Sequence, residues 1–99
     1  MKIIEKMIER LNEEVDGAED YAEIYIENKA RGNHSRANRF KEMALDELKH
    51  ASYLREMDIA DLNDISRIHT LSESDQELWG RGHRLASERI AIVKQMLDT

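Results

Sequence analysis

Glu47 and His50 lie three residues apart in the stretch Glu47-Leu48-Lys49-His50, a spacing that sets a carboxylate and an imidazole on one face of a helix. Phe40, Met43, Ala44, Ala51 and Leu54 recur around them at spacings of three and four, so this face is expected to point inward. Glu14, 33 residues before Glu47, interrupts a second apolar stripe made by Met7, Leu11, Ala18, Tyr21 and Tyr25, and its carboxylate is expected to point inward too. An ionised carboxylate removed from water is costly unless a proton, a cation or a metal compensates it. Two readings satisfy that requirement. In one, Glu14, Glu47 and His50 are metal ligands; in the other, the two carboxylates form buried ion pairs with Arg10, Arg39 or Lys49, and His50 is a satisfied core histidine.

The composition limits the chemistry available. The chain has no Cys, which excludes disulfides, thiolate catalysis, iron–sulfur clusters and Cys-based zinc sites and leaves His and carboxylate as the strong metal ligands. A net charge of −6 argues against nucleic-acid binding, although Lys29, Arg31, Arg36, Arg39 and Lys41 form a local basic cluster. No apolar run approaches a membrane span. The opening Met1-Lys2-Ile3-Ile4-Glu5-Lys6 lacks a signal-peptide core and already carries helical periodicity, so a cytoplasmic location is expected.

No Pro, only 4 Gly and an abundance of Glu, Ala, Leu, Lys, Arg and Met point to an all-α fold. The apolar spacing predicts one domain over residues 1–99, with helix one over about 3–31, helix two over about 36–57 and helix three over about 74–97. Gly32 is expected to end helix one in the left-handed conformation, Ser35 to cap helix two, and Ser74-Asp75-Gln76-Glu77 to open helix three as a capping box. A break or bend is expected between Asp58 and Thr70, where Asp61, Asn63 and Asp64 weaken a pattern that Ile59, Leu62, Ile65 and Ile68 would otherwise prolong. At 99 residues the chain has little surface to bury alone and gains from association.

A Glu on one helix and a Glu-x-x-His on its neighbour form half of the ligand set of di-iron helical bundles. From about Leu11 to Leu54 the chain resembles the rubrerythrin and ferritin superfamily, and is similar to its short encapsulated-ferritin branch. The resemblance is carried by Glu13-Glu14, Ala18, Tyr21, Gly32, Phe40, Ala44, Asp46-Glu47 and His50-Ala51. It implies that Glu14 is a terminal metal ligand, Glu47 a bridging ligand and His50 the nitrogen ligand of one iron, with Tyr21 beside the ligands. By the same resemblance Asp46 accepts a hydrogen bond from a ligating His, and Glu13 and Asp16 are candidates for a metal-entry site; a solvated acidic face is the alternative for these two.

Long members of that superfamily carry two ligand sets in one four-helix bundle, whereas this chain carries one. A ferritin-like helical hairpin with a third C-terminal helix would therefore complete its bundle by homodimerisation, with two irons per dimer held by Glu14, Glu47 and His50 of each protomer. The expected activity is oxidation of Fe(II) by dioxygen or peroxide, that is, a ferroxidase. The alternatives are a rubrerythrin-like peroxide reductase and a non-catalytic assembly module in which zinc, manganese or calcium staples the helices. The expected partner is a second copy of the chain, or a larger homo-oligomer, with no nucleic acid and no membrane. His34 and His69 are expected at the surface, His83 and Glu88 on different faces of their helix, and Trp79 as a packing or interface anchor.

Overall fold

The computed structural model describes residues 1–99 and is all-helical, with α1 over Lys2–Ala30, α2 over His34–Ile68 and α3 over Glu73–Leu97. The molecule is a rod 55 Å long and 18 Å across. α1 is its axis. Ile4, Met7, Leu11, Val15, Ala18, Ala22 and Tyr25 form its buried stripe, and both other helices pack against α1. α2 runs antiparallel to α1 after a tight turn, whereas α3 runs parallel to it: Arg89 pairs with Asp16 and Glu19, and Lys29, at the end of α1, bonds the backbone oxygen of Thr99.

Local signals explain the ends. Gly32 has a φ of 77°, the left-handed conformation that lets the Gly32 and Asn33 amides turn back onto Lys29 and Asn28 and satisfy carbonyls at the end of α1. Asn33, rather than Ser35, caps α2, its side chain accepting from the Arg36 amide at 3.2 Å. α3 likewise begins earlier than its Ser74 signal implies, because Ser72 accepts from the Asp75 amide at 3.1 Å. The larger departure is in α2, which continues unbroken past Met57 to Ile68. Leu62 explains this extension: it is buried with Ile4 and Met7, with Ile8, Leu71 and Trp79 packed around them, so the apolar contact outweighs the weak helix propensity of Asp61, Asn63 and Asp64. The chain reverses only after His69. Trp79 is thus a packing residue of this end, its ring tilted against that of His83 with centroids 5.3 Å apart, while His83 accepts a hydrogen bond from Arg55 of α2 at 3.0 Å.

The main core joins all three helices through Leu11, Val15, Ala18, Ala22 and Tyr25 of α1, Ala37, Ala44, Leu48 and Ala51 of α2, and Ala86, Ile90, Val93 and Leu97 of α3. It is small: 18 of 99 residues are buried, and Met43, Leu45, Tyr53, Met57, Ile59 and Ile92 stay exposed. Ile26 is exposed as well. No helix is long and apolar enough to cross a membrane.

Two glycines of α3 separate helix propensity from packing. A β-carbon at Gly80 would meet nothing, whereas one at Gly82 would press on Ile8, its Cγ1 at 2.9 Å and Cγ2 at 3.0 Å. Gly80→Ala should therefore raise stability by about 0.5–1 kcal/mol, the ordinary gain of Ala over Gly inside a helix. Gly82→Ala should lose that gain to the displacement of Ile8 and leave the protein no more stable than wild type, or less so. Urea unfolding of the two variants checks the pair.

Candidate metal centre

The site lies midway along the α1–α2 seam. Buried Ala18 and Ala22 of α1 and Ala44 and Ala51 of α2 keep side-chain bulk between the helices small, so longer side chains at the edge of the seam can meet across it. Glu14 reaches over from α1, and Glu47 and His50 from α2. One ligand atom of each lies within 4.8 Å of the others, and His50 Nδ1 is 3.6 Å from Glu14 Oε2. These are the three residues whose types and spacing pointed to a metal, and the fold brings them together.

Their exposure differs from the inward placement expected of them. Glu14 and Glu47 are half-buried, with 29% of the Glu14 side chain exposed, and 53% of the His50 side chain is exposed. The cause is geometric: the buried face of α2 is centred on Ala44, Leu48 and Ala51, and His50 lies at its margin, beside exposed Met43 and Met57. The ion-pair alternative finds no partners. Neither Glu14 nor Glu47 forms an ion pair with Arg10, Arg39 or Lys49, and His50 is the one basic group paired with Glu14.

Two carboxylates this close, without an Arg or Lys, disturb each other. The Glu47 pKa is raised above its ordinary 4.5, first by a hydrogen bond shared with Glu14, then by burial and by the charges of Glu14 and Asp46, against the lowering effect of His50. A cation bound between the carboxylates would relieve the same repulsion.

The surrounding residues divide. Tyr21 is half-buried and packs on Phe40 with ring centroids 6.0 Å apart, against the main core. Asp46 is exposed and acts on Glu47 through its charge; no hydrogen bond joins it to His50 of the same chain. Asp16 turns to the opposite side of α1, where Arg89 holds it at 2.5 Å, and Glu13 is an exposed residue beside Lys6, Glu9 and Arg10. Neither joins the ligand cluster. Gly17, unremarked in the sequence, does belong to the site: a β-carbon there would lie 3.3 Å from Glu47 Oε2. A glycine inside a long helix, one turn beyond an inward Glu, was the available signal. His34 and His69 are exposed and remote from the cluster.

A raised Glu47 pKa makes the folded state bind a proton more tightly than the unfolded chain does. The stability this contributes is present below pH 4.5 and is lost as pH rises through the raised value. The melting temperature of metal-free wild type relative to Glu47→Gln should therefore fall as pH increases from 4.5 toward neutrality. A metal must displace the same proton, so affinity should weaken in the opposite direction, as pH is lowered. Melting curves and metal titrations across this range check both signs.

Comparison of the chain with protein-family models, curated proteins and solved structures finds no match.

Proposed function

We propose that the protein is a ferritin-like di-iron protein, a ferroxidase whose metal site lies between two copies of the chain. The observation that carries this reading is the cluster of Glu14, Glu47 and His50, with ligand atoms within 4.8 Å of one another and no Arg or Lys to balance its carboxylates. Carboxylate oxygens with one imidazole nitrogen suit iron, manganese or zinc, and the oxygen donors favour the ferric state. Iron bound there would supply oxidation chemistry with dioxygen or peroxide.

The residues of the chain have definite parts in this scheme. Glu14 and Glu47 would provide the negative charge that attracts Fe(II), and any proton held at Glu47 must leave for the cation to bind. His50 adds a neutral nitrogen donor, its ring held beside Glu14. The cluster is open to solvent at His50, and the exposed Met43, Met57 and His50 support its coverage by a second copy. A twofold axis through the site would bring together four carboxylates and two imidazoles, a full set for two divalent ions.

Aerobic addition of Fe(II) with optical monitoring tests the activity. Oxidation faster than in protein-free buffer is expected for wild type, His34→Ala and His69→Ala, and loss to background for Glu47→Ala and His50→Ala. Tight binding without turnover would replace the ferroxidase by a metal staple, and turnover with peroxide alone would favour a peroxide reductase. Metal analysis should give about one metal per chain, as expected for a site shared by two half-sets.

Assembly provides a separate test. Chelation should shift wild type toward monomer or lower its melting temperature, and Fe(II), Mn(II) or Zn(II) should reverse the shift. Metal-free Glu14→Gln, with one acidic charge fewer per chain, should associate at least as well as wild type while holding metal less tightly. Sedimentation with and without metal reads both; identical wild-type behaviour in chelator and in saturating metal would overturn the shared site.

A further inference from the structure

We infer that Gly17 is a positioning residue for the Glu47 carboxylate, the missing side chain on α1 forming the slot in which that ligand is seated. The inference rests on the proposed metal site and goes beyond it by assigning a role to a residue that offers no ligand atom. Gly17 stands well inside α1, where glycine costs about 1 kcal/mol relative to alanine. Conformational freedom does not account for it, since Gly32 is the one glycine with positive φ. Packing of the apolar core does not account for it either. The three atoms nearest to a β-carbon at this position all belong to Glu47: Oε2 at 3.3 Å, Cδ at 3.4 Å and Cγ at 3.6 Å.

The slot therefore fits one side chain, and that side chain comes from the other helix. Gly17 is three residues after Glu14, on the adjoining turn of the same helix edge. A carboxylate lying over Gly17 is thereby held near Glu14 and His50. A methyl group at position 17 would push Oε2 away from α1 by a few tenths of an ångström. Such a shift is easily absorbed by a flexible carboxylate, but metal–ligand distances hold within about 0.2 Å. The two states thus respond in opposite directions: without metal the helix gains from alanine, and with metal the ligand set is spoiled.

The test is zinc titration by calorimetry on wild type, Gly17→Ala, Glu47→Asp and the double variant, with metal-free melting curves and sedimentation for each. Gly17→Ala should melt higher than wild type without metal, sediment as wild type does, and bind zinc about tenfold more weakly, the effect expected of a ligand-orienting residue. Because Asp is one methylene shorter, it withdraws the carboxylate from the slot, and adding Gly17→Ala to Glu47→Asp should cost little further affinity. Equal zinc affinity in wild type and Gly17→Ala would overturn the role of Gly17 while leaving the metal site intact. An equal loss in both backgrounds, or a loss that follows altered sedimentation, would also overturn it. Failure of wild type to bind zinc, manganese or iron would overturn the metal site itself and the assignment of Gly17 with it.

Discussion

The structure depends on the small-residue seam along which α1 and α2 lie against each other. Ala18 and Ala22 share one buried cluster with Ala37, Ala44 and Ala51, beside the larger Leu11, Val15, Tyr25 and Leu48, so side-chain bulk between the two backbones is reduced at the alanines. Apolar burial scales with area, and each alanine contributes little of it. What the alanines contribute is proximity. That proximity lets Glu14 and Glu47, anchored on different helices, place carboxylate oxygens within 4.8 Å of each other. Larger residues at these positions would bury more surface and hold the carboxylates apart. Gly17 follows from the same constraint, because a seam this close leaves the carboxylate of Glu47 lying against the backbone of α1.

α3 determines which face of that seam remains open. It packs on α1 through Ala86, Ile90, Val93 and Leu97, and it is fixed at the rim by Arg89, whose guanidinium holds its proton more firmly through hydrogen bonds to Asp16 and Glu19. An exposed ion pair contributes little to stability on its own, but here it ties an acidic residue of α1 to the side away from Glu14. Gly82 allows the helices to approach at Ile8. At the far end Arg55 and His83 link α3 to α2, and burial together with the Arg55 charge lowers the His83 pKa, keeping the imidazole neutral and able to accept. The third helix thus covers one side of the hairpin and leaves the ligand edge to solvent.

Much of this was legible in the sequence, for identifiable reasons. Helical composition and the turn at Gly32 follow from residue types, and the pairing of Glu47 with His50 from a spacing that a helix preserves wherever it packs; Glu14 joins them from a second apolar stripe on the other helix. The length of α2 did not follow from its local residues, because Leu62 gains its stabilisation from Ile4 and Met7, which are remote in sequence. The exposure of His50 was missed for a related reason: a period of 3.6 residues identifies an apolar face but leaves its margins uncertain, and His50 sits at a margin. Glu13 and Asp16, three apart, share a helix face turned away from Glu14, and only a tertiary partner, Arg89, decides that Asp16 serves an ion pair. Gly17 carries no chemistry of its own, so its part emerges only when the atom opposite it is known.

The charge balance of the cluster bears on why a helical hairpin would retain it. Two carboxylates closer than 4.8 Å repel by about 1 kcal/mol across bulk water, and by several-fold more where the effective dielectric constant falls to about 20. Replacing Glu14 and Glu47 by neutral residues would remove that repulsion, and the alanine seam beside them would still hold the helices together. Their stabilising value to the single chain is therefore small or negative. A shared proton offsets part of the repulsion, at the expense of tying Glu47 to one protonation state. A divalent ion offsets more, because it balances both carboxylates at once, takes a lone pair from His50 and needs no proton. In the proposed pairing each protomer brings two carboxylates and receives one such ion, so the charge closes protomer by protomer while the open edge of each hairpin is covered by the other.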